Sequence, residues 1–208
     1  MTMPAPTEHR KPRKEEILDV ATPLFAERGF EGTSMNDVAE RVGMRKASLF
    51  YHFATKDALY EAVLDRIVRQ VGDSLSAVYT GGGTLVERLE RAADAVATAV
   101  SERPFVARLF LREAMDWGPV IRGKLLGTVL GVLEAGAAFV QVGQGEGVFV
   151  QGDPKQLILT ALGAQIMPFA IVQLVERYVG VDPFHPSFVS ARRAALRTQV
   201  RDMIVRKG

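Results

Sequence analysis

Apolar residues recur along this chain mostly at intervals of three and four, the period of a helix with one face turned to a core. The first such stretch holds Ile17, Ala21, Leu24 and Phe25, and Gly29 follows where a left-handed helix end favours glycine. Pro23 stands inside it, at a cost of roughly 3 kcal/mol in a helix interior, so a local kink is expected. Thr33 and Ser34 can cap a second helix, with Asp37 placed to bond back to the cap. Val38, Ala39 and Val42 make its inner face and Gly43 closes it. A short third helix is expected over 46–51, with Leu49 and Phe53 turned inward. Thr55 then caps a long fourth helix bearing Leu59, Val63, Ile67 and Val71.

The rest reads as helical too. Gly81, Gly82 and Gly83 form a connector, and further helices are expected over 84–102, 105–115 and 119–142. Neither glycine cluster, this one or Gly143, Gly145 and Gly147, follows a strand or leads into Gly-Lys-Ser/Thr, so neither is a phosphate loop. Asp153 followed by Pro154 is a helix start, and that helix is expected to run to about Gly180. Ser187 or Ser190 opens a last helix ending near Arg206. Val148 to Val150 is the sole β-branched cluster and too short to build a sheet. The expected fold is all-α: a disordered basic arm over 1–14, a helix-turn-helix head over 15–60, and a helical body over 61–208.

Composition narrows the function classes. The 208 residues are 48% hydrophobic, ordinary for a chain that buries a core. There is no cysteine, which excludes disulfides, zinc–thiolate sites and cysteine nucleophiles and suits a reducing cytoplasm. The net charge is only +2, so a nucleic-acid partner must meet a local patch. Arg10, Lys11, Arg13 and Lys14, then Arg41, Arg45, Lys46 and Lys56, supply one, interleaved with Glu15, Glu16, Glu31, Asp37 and Glu40. The Pro-rich start has no apolar core and reads as neither signal peptide nor anchor. Residues 157–175 carry no charge before Glu176 and are long enough to span a bilayer, but Thr160, Gln165, Pro168 and Gln173 favour a core or interface helix. No other stretch looks comparable, and no membrane partner is expected.

A helix, a tight turn and a second short helix that starts basic make a helix-turn-helix pattern, whose second helix can enter the major groove. Arg45 and Lys46 can reach guanine or phosphate, and Ser48, Tyr51 and His52 share one side of the short helix. Lys56 begins the fourth helix, where backbone N–H groups also favour an anion. The runs Gly29-Phe30-Glu31-Gly32-Thr33-Ser34-Met35-Asn36-Asp37-Val38-Ala39-Glu40-Arg41-Val42-Gly43, Lys46-Ala47-Ser48-Leu49-Phe50-Tyr51-His52-Phe53 and Lys56-Asp57-Ala58-Leu59 resemble the N-terminal signature of TetR-family repressors. The resemblance implies a homodimer with a three-helix DNA-binding head and a body that binds a small effector. It implies DNA contacts at Thr33, Lys46, Ser48, Tyr51, His52 and Lys56; Ser34 and Arg45 complete the candidate set. Arg45 stands where serine is frequent, Ala47 replaces a common glycine, and Phe50 replaces a common tyrosine, which alters sequence preference and removes a close approach and a hydroxyl.

In the body, Phe105, Phe110, Met115, Trp117, Leu133, Phe139, Met167 and Phe169 are pocket material, most of it plain core, with Arg112, Glu113 and Gln165 as polar candidates for an unknown small-molecule effector. The apolar surplus suggests self-association independently. Leu157, Ala161, Ile171 and Leu174 on one helix, with Leu196, Val200 and Met203 on the last, are expected to form a two-fold four-helix seam. An enzyme is not expected. Ser48 and His52 lack a Gly-x-Ser-x-Gly turn or an orienting carboxylate, and His9, His52 and His185 are too scattered for a metal. No cofactor or metal is implied. A helical interaction module that does not bind DNA is the alternative, and it leaves the basic turn and Tyr51-His52 without a purpose.

Overall fold

The computed structural model describes residues 13–102, 111–112, 114–115 and 121–206, and the chain divides into two compact units, 1–63 and 64–208. The described helices are α1 (Arg13–Arg28), α2 (Met35–Val42), α3 (Lys46–His52), α4 (Lys56–Thr80), α5 (Leu85–Glu102), α6 (Leu126–Gly145), α7 (Pro154–Ala170), α8 (Val172–Val179) and α9 (Pro186–Ile204). A wide turn, Ile121–Leu125, precedes α6 and is broken at Gly123. Among the described residues the one β pairing is an isolated bridge.

In the first unit, α1 is one continuous helix through Pro23, which lies on its exposed side. Ile17, Leu18, Ala21, Leu24 and Phe25 of α1 are buried, as are Val38, Ala39, Leu49, Phe53 and Leu59, and α1 packs on α2 and α2 on α3. Phe25, Phe30 and Tyr60 add an aromatic cluster, with Tyr60 5.0 Å from each of the two phenylalanine rings. Helix α4 begins in this unit and continues into the second.

In the second unit, α9 lies along α5 and α6 along α7. Leu85, Leu89, Ala93, Phe139, Phe149, Ala161, Val200 and Ile204 form one core cluster, and Val100 with Phe169 a smaller one. Ion pairs tie α5 to α9: Asp94 reaches Arg193 at 3.8 Å and Arg197 at 2.5 Å, and Glu90 reaches Arg201 at 3.4 Å.

Four expectations change here. The helix from Pro154 does not run to Gly180: α7 and α8 meet at 82°. Pro168 cannot donate to the carbonyl of Ala164, four residues back, and its ring crowds that carbonyl. The Arg192 guanidinium donates to the Ala164 oxygen instead. The uncharged stretch 157–175 is therefore not one straight span. By length and composition alone, α6 is also apolar enough to cross a membrane, with Gly136, Ala137, Phe139 and Val140 buried in the body. The last helix starts earlier than Ser187: Pro186 takes its first position and the His185 ring accepts from the Ser187 amide. Val148–Val150 matters more than its length suggests. Val150 donates to Ile204 and Arg206 to Val148, pinning the end of α9, while Phe149 is fully buried. Gly143 makes room for that ring, because a methyl there would fall inside it.

The last helix's apolar stripe also points elsewhere than expected. Leu196 is 1% exposed and Val200 4%, and both face the body's own core, with Met203 packed beside it. Ala161 is buried likewise, and Leu157 is half-buried. Only Ile171 and Leu174 of the expected seam are open to solvent, near Leu159, Met167 and Tyr178 in the sequence of α7 and α8. A small unit needs its C-terminal helix to close its core, so the stripe is consumed internally.

Candidate functional site

Two local devices set the geometry of the head. At the start of α2, the Ser34 hydroxyl accepts from the Asp37 amide at 3.2 Å, and the Ser34 amide donates to the Asp37 carboxylate at 2.8 Å. This reciprocal cap was legible in the Ser-x-x-Asp spacing. The Ser34 hydroxyl and amide, with Arg28 beyond, hold the Asp37 carboxyl below its usual range. At the end of α2, Gly43 adopts φ 72°, ψ 36°; its amide bonds to Glu40 and that of Met44 to Ala39. That pair of bonds is a Schellman close, and its left-handed residue favours glycine. Three residues later α3 begins.

Helix α3 is held by one side. Leu49 is fully buried, and Phe53 just beyond it nearly so. Arg45, Lys46, Ala47, Ser48 and Phe50 are exposed, and Tyr51 is 88% exposed. Arg13, Met44, Arg45, Ala47, Ser48, Tyr51 and His52 line an open hollow on this face. Four of the expected contacts, Arg45, Ser48, Tyr51 and His52, are thus brought together, with Lys46 on the same short helix. The Tyr51 and His52 rings meet edge to face at 5.6 Å. Met44 and Arg13 were not singled out as contacts. Arg13 lies in the basic run read from the sequence, but its place beside α3 depends on how α1 packs.

The remaining candidates sit differently. Thr33 is 1% exposed, and its hydroxyl donates to the carbonyls of Leu24 at 3.1 Å and Gly29 at 3.0 Å. Its side chain ties the end of α1 to the start of α2 and is not on the surface. Ser34 is exposed but engaged in the cap. The Lys56 ammonium lies 4.1 Å over the Phe30 ring and donates to the Phe30 carbonyl at 3.0 Å. It keeps partial exposure and sits 4.0 Å from Glu31.

In the body, α4, α5, α6, α7 and α9 line a half-open cavity of about 190 Å³. Of the residues expected at an effector pocket, Leu133 and Gln165 line it. Phe139 and Phe169 belong to the two core clusters, while Arg112 and Met115 are exposed. Phe105, Phe110, Glu113 and Trp117 lie outside the described residues. Ala161 and Val200, expected at a dimer seam, line the cavity. Sequence reading missed Tyr79, Val96 and Ile158, whose convergence depends on how three helices cross.

A helix-turn-helix head followed by a unit whose described elements are helices around an apolar cavity defines a two-part helical protein. Residues 17–63 match the family described as bacterial regulatory proteins, tetR family. It is 48% identical over 48 residues to the biofilm operon icaADBC HTH-type negative transcriptional regulator IcaR of Staphylococcus aureus. That match covers 23% of this chain and only 26% of IcaR. It is 29% identical over 146 residues to the HTH-type transcriptional regulator RutR of Escherichia coli, covering 70% of this chain and 68% of RutR. The fold matches that of AibR, solved in complex with isovaleryl coenzyme A and operator DNA, with a TM-score of 0.73 at 19% identity. That likeness covers 91% of this chain and 98% of AibR.

Proposed function

We propose that this chain is a homodimeric, cytoplasmic transcription repressor that binds a near-palindromic operator and leaves it when a small molecule occupies the body. One observation carries the DNA half: α3 is anchored by Leu49 and leaves a row of donors and cations free on its other side. Arg45 and Lys46 read base edges or phosphate, Ser48 and His52 add donors, and Tyr51 packs on the backbone. Lys56 contributes to a phosphate from its seat over Phe30. Thr33 acts from within, by fixing α2 against α1. The negative regulator IcaR shares this head, and AibR was solved with both an operator and an acyl coenzyme A, which supports a DNA-binding, ligand-responsive reading. No catalytic role is assigned. For the dimer, the exposed apolar side chains Leu159, Met167, Ile171, Leu174 and Tyr178 replace the last helix's stripe as the self-complementary surface. Ligand and operator then oppose each other through linkage.

Selection of bound duplexes from a random pool tests the reading. The expected result is an inverted repeat with half-sites about 34–36 Å apart or slightly more, and loss of enrichment for Tyr51→Ala. Enrichment no better than background would leave the chain as a helical interaction module.

A further inference from the structure

The chemistry of the body cavity goes further than the statement that a small molecule binds. Its wall is built from side chains such as Val71, Val96, Leu133 and Ile158, and it exists because small residues, Ala92, Ala93, Ala99, Gly136 and Ala161, stand where larger ones would fill it. Packed interiors have few voids larger than a water molecule, so a hollow of about 190 Å³ is well beyond ordinary packing slack. Among the described residues no charged side chain lines it. Two polar ones do, Tyr79 and Gln165.

Gln165 is the informative one. The residue is 5% exposed, and its carbonyl oxygen Oε1 is buried with no hydrogen-bond partner among the described residues. A buried acceptor left unpaired is costly, and one on the wall of a cavity is satisfied by whatever donor enters. Tyr79 stacks on Phe139 with centroids 4.7 Å apart, and a side chain at Gly136 would crowd its hydroxyl and Ile158. Burial pushes the Tyr79 phenol up to about 12, so near neutral pH it offers a dipole and no charge. A charged ligand would lose hydration in this cavity and find no countercharge among the described residues of its wall.

Resting on the ligand-sensing reading above, we propose that the cavity takes a neutral, mostly apolar molecule the size of one substituted six-membered ring, carrying one hydrogen-bond donor that meets Gln165 Oε1. The size follows from comparison: an apolar cavity of about 150 Å³ holds benzene, so this one holds a ring with one or two small substituents, roughly seven to nine non-hydrogen atoms. Gln165 selects for the donor, and the apolar described wall disfavours ions.

Calorimetric titration of the full chain near neutral pH with p-cresol, p-xylene and benzoate tests this. The first two differ by a hydroxyl for a methyl; the third is an anion of similar size. Saturable p-cresol binding about two- to tenfold tighter than p-xylene is expected, the net worth of one hydrogen bond, with no benzoate uptake at the same concentrations. Gln165→Met keeps the volume and removes the acceptor. It should bring p-cresol to the level of p-xylene, leave p-xylene affinity intact, and melt no earlier than wild type. Benzoate binding as well as p-cresol, equal loss of both neutral probes in Gln165→Met, or no saturable binding of either neutral probe would overturn the proposal. These titrations use no DNA. Operator binding without p-cresol uptake therefore defeats this proposal alone, and p-cresol uptake without operator binding defeats only the regulator reading.

Discussion

Thr33 and Tyr51 divide the head's polar residues into those that build it and those that face outward. Thr33→Val removes a hydroxyl bonded to two carbonyls, and a loss of about 1–3 kcal/mol is expected in urea denaturation, with little change in DNA affinity per folded molecule. Tyr51→Ala should do the reverse: stability within about 0.5 kcal/mol of wild type and a clear loss of DNA affinity by fluorescence anisotropy. In the body, Tyr79 makes a prediction in alkali. The unfolded phenol ionises near 10.0, while the buried one keeps its proton to about 12. Its contribution is full below 10 and is lost as pH rises toward 12, by on the order of 2 kcal/mol. Thermal melts across that range should show a smaller decline for Tyr79→Phe than for wild type. The Ser34–Asp37 cap and the inward Leu49 were legible in the sequence, since both depend on neighbours a turn away. The burial of Thr33 was not, because it depends on reaching Leu24, nine residues back in α1.

Elements were legible where their signals are local and obscured where tertiary contacts intervene. Gly43 after Val42, and Asp153 before Pro154, marked helix ends that the structure keeps. The break between α7 and α8 had a visible cause in Pro168, but reading it as a break required knowing that Arg192 reaches the freed Ala164 carbonyl. Arg192→Met should therefore cost about 1–3 kcal/mol, measured by denaturation, by orphaning that carbonyl. Val148–Val150 looked negligible because a two-bond pairing leaves no periodic trace. Gly143→Ala should reveal its weight. The added methyl collides with the Phe149 ring, and a loss of about 1–3 kcal/mol is expected from overpacking.

At the scale of the molecule, an apolar stripe does not say which surface it will cover. Leu196, Val200 and Met203 had the spacing of an interface and serve the core of their own unit. Leu174, 63% exposed, remains available to a second copy. Light scattering of two variants separates these roles: Leu174→Glu should stay folded and shift the proposed dimer toward monomer, whereas Leu196→Glu should unfold the body. The all-helical, two-unit plan was readable from periodicity and punctuation, while the cavity, assembled from small residues on separate helices, was not. The exposed side of α3 is proposed to read DNA sequence. Anisotropy titration of the wild-type chain with its selected inverted repeat and with a scrambled duplex, at about 50 and about 200 mM salt, tests it most directly. A preference of roughly a thousandfold or more for the repeat is expected, with both affinities falling steeply as salt rises. Equal affinity for the two duplexes would contradict it.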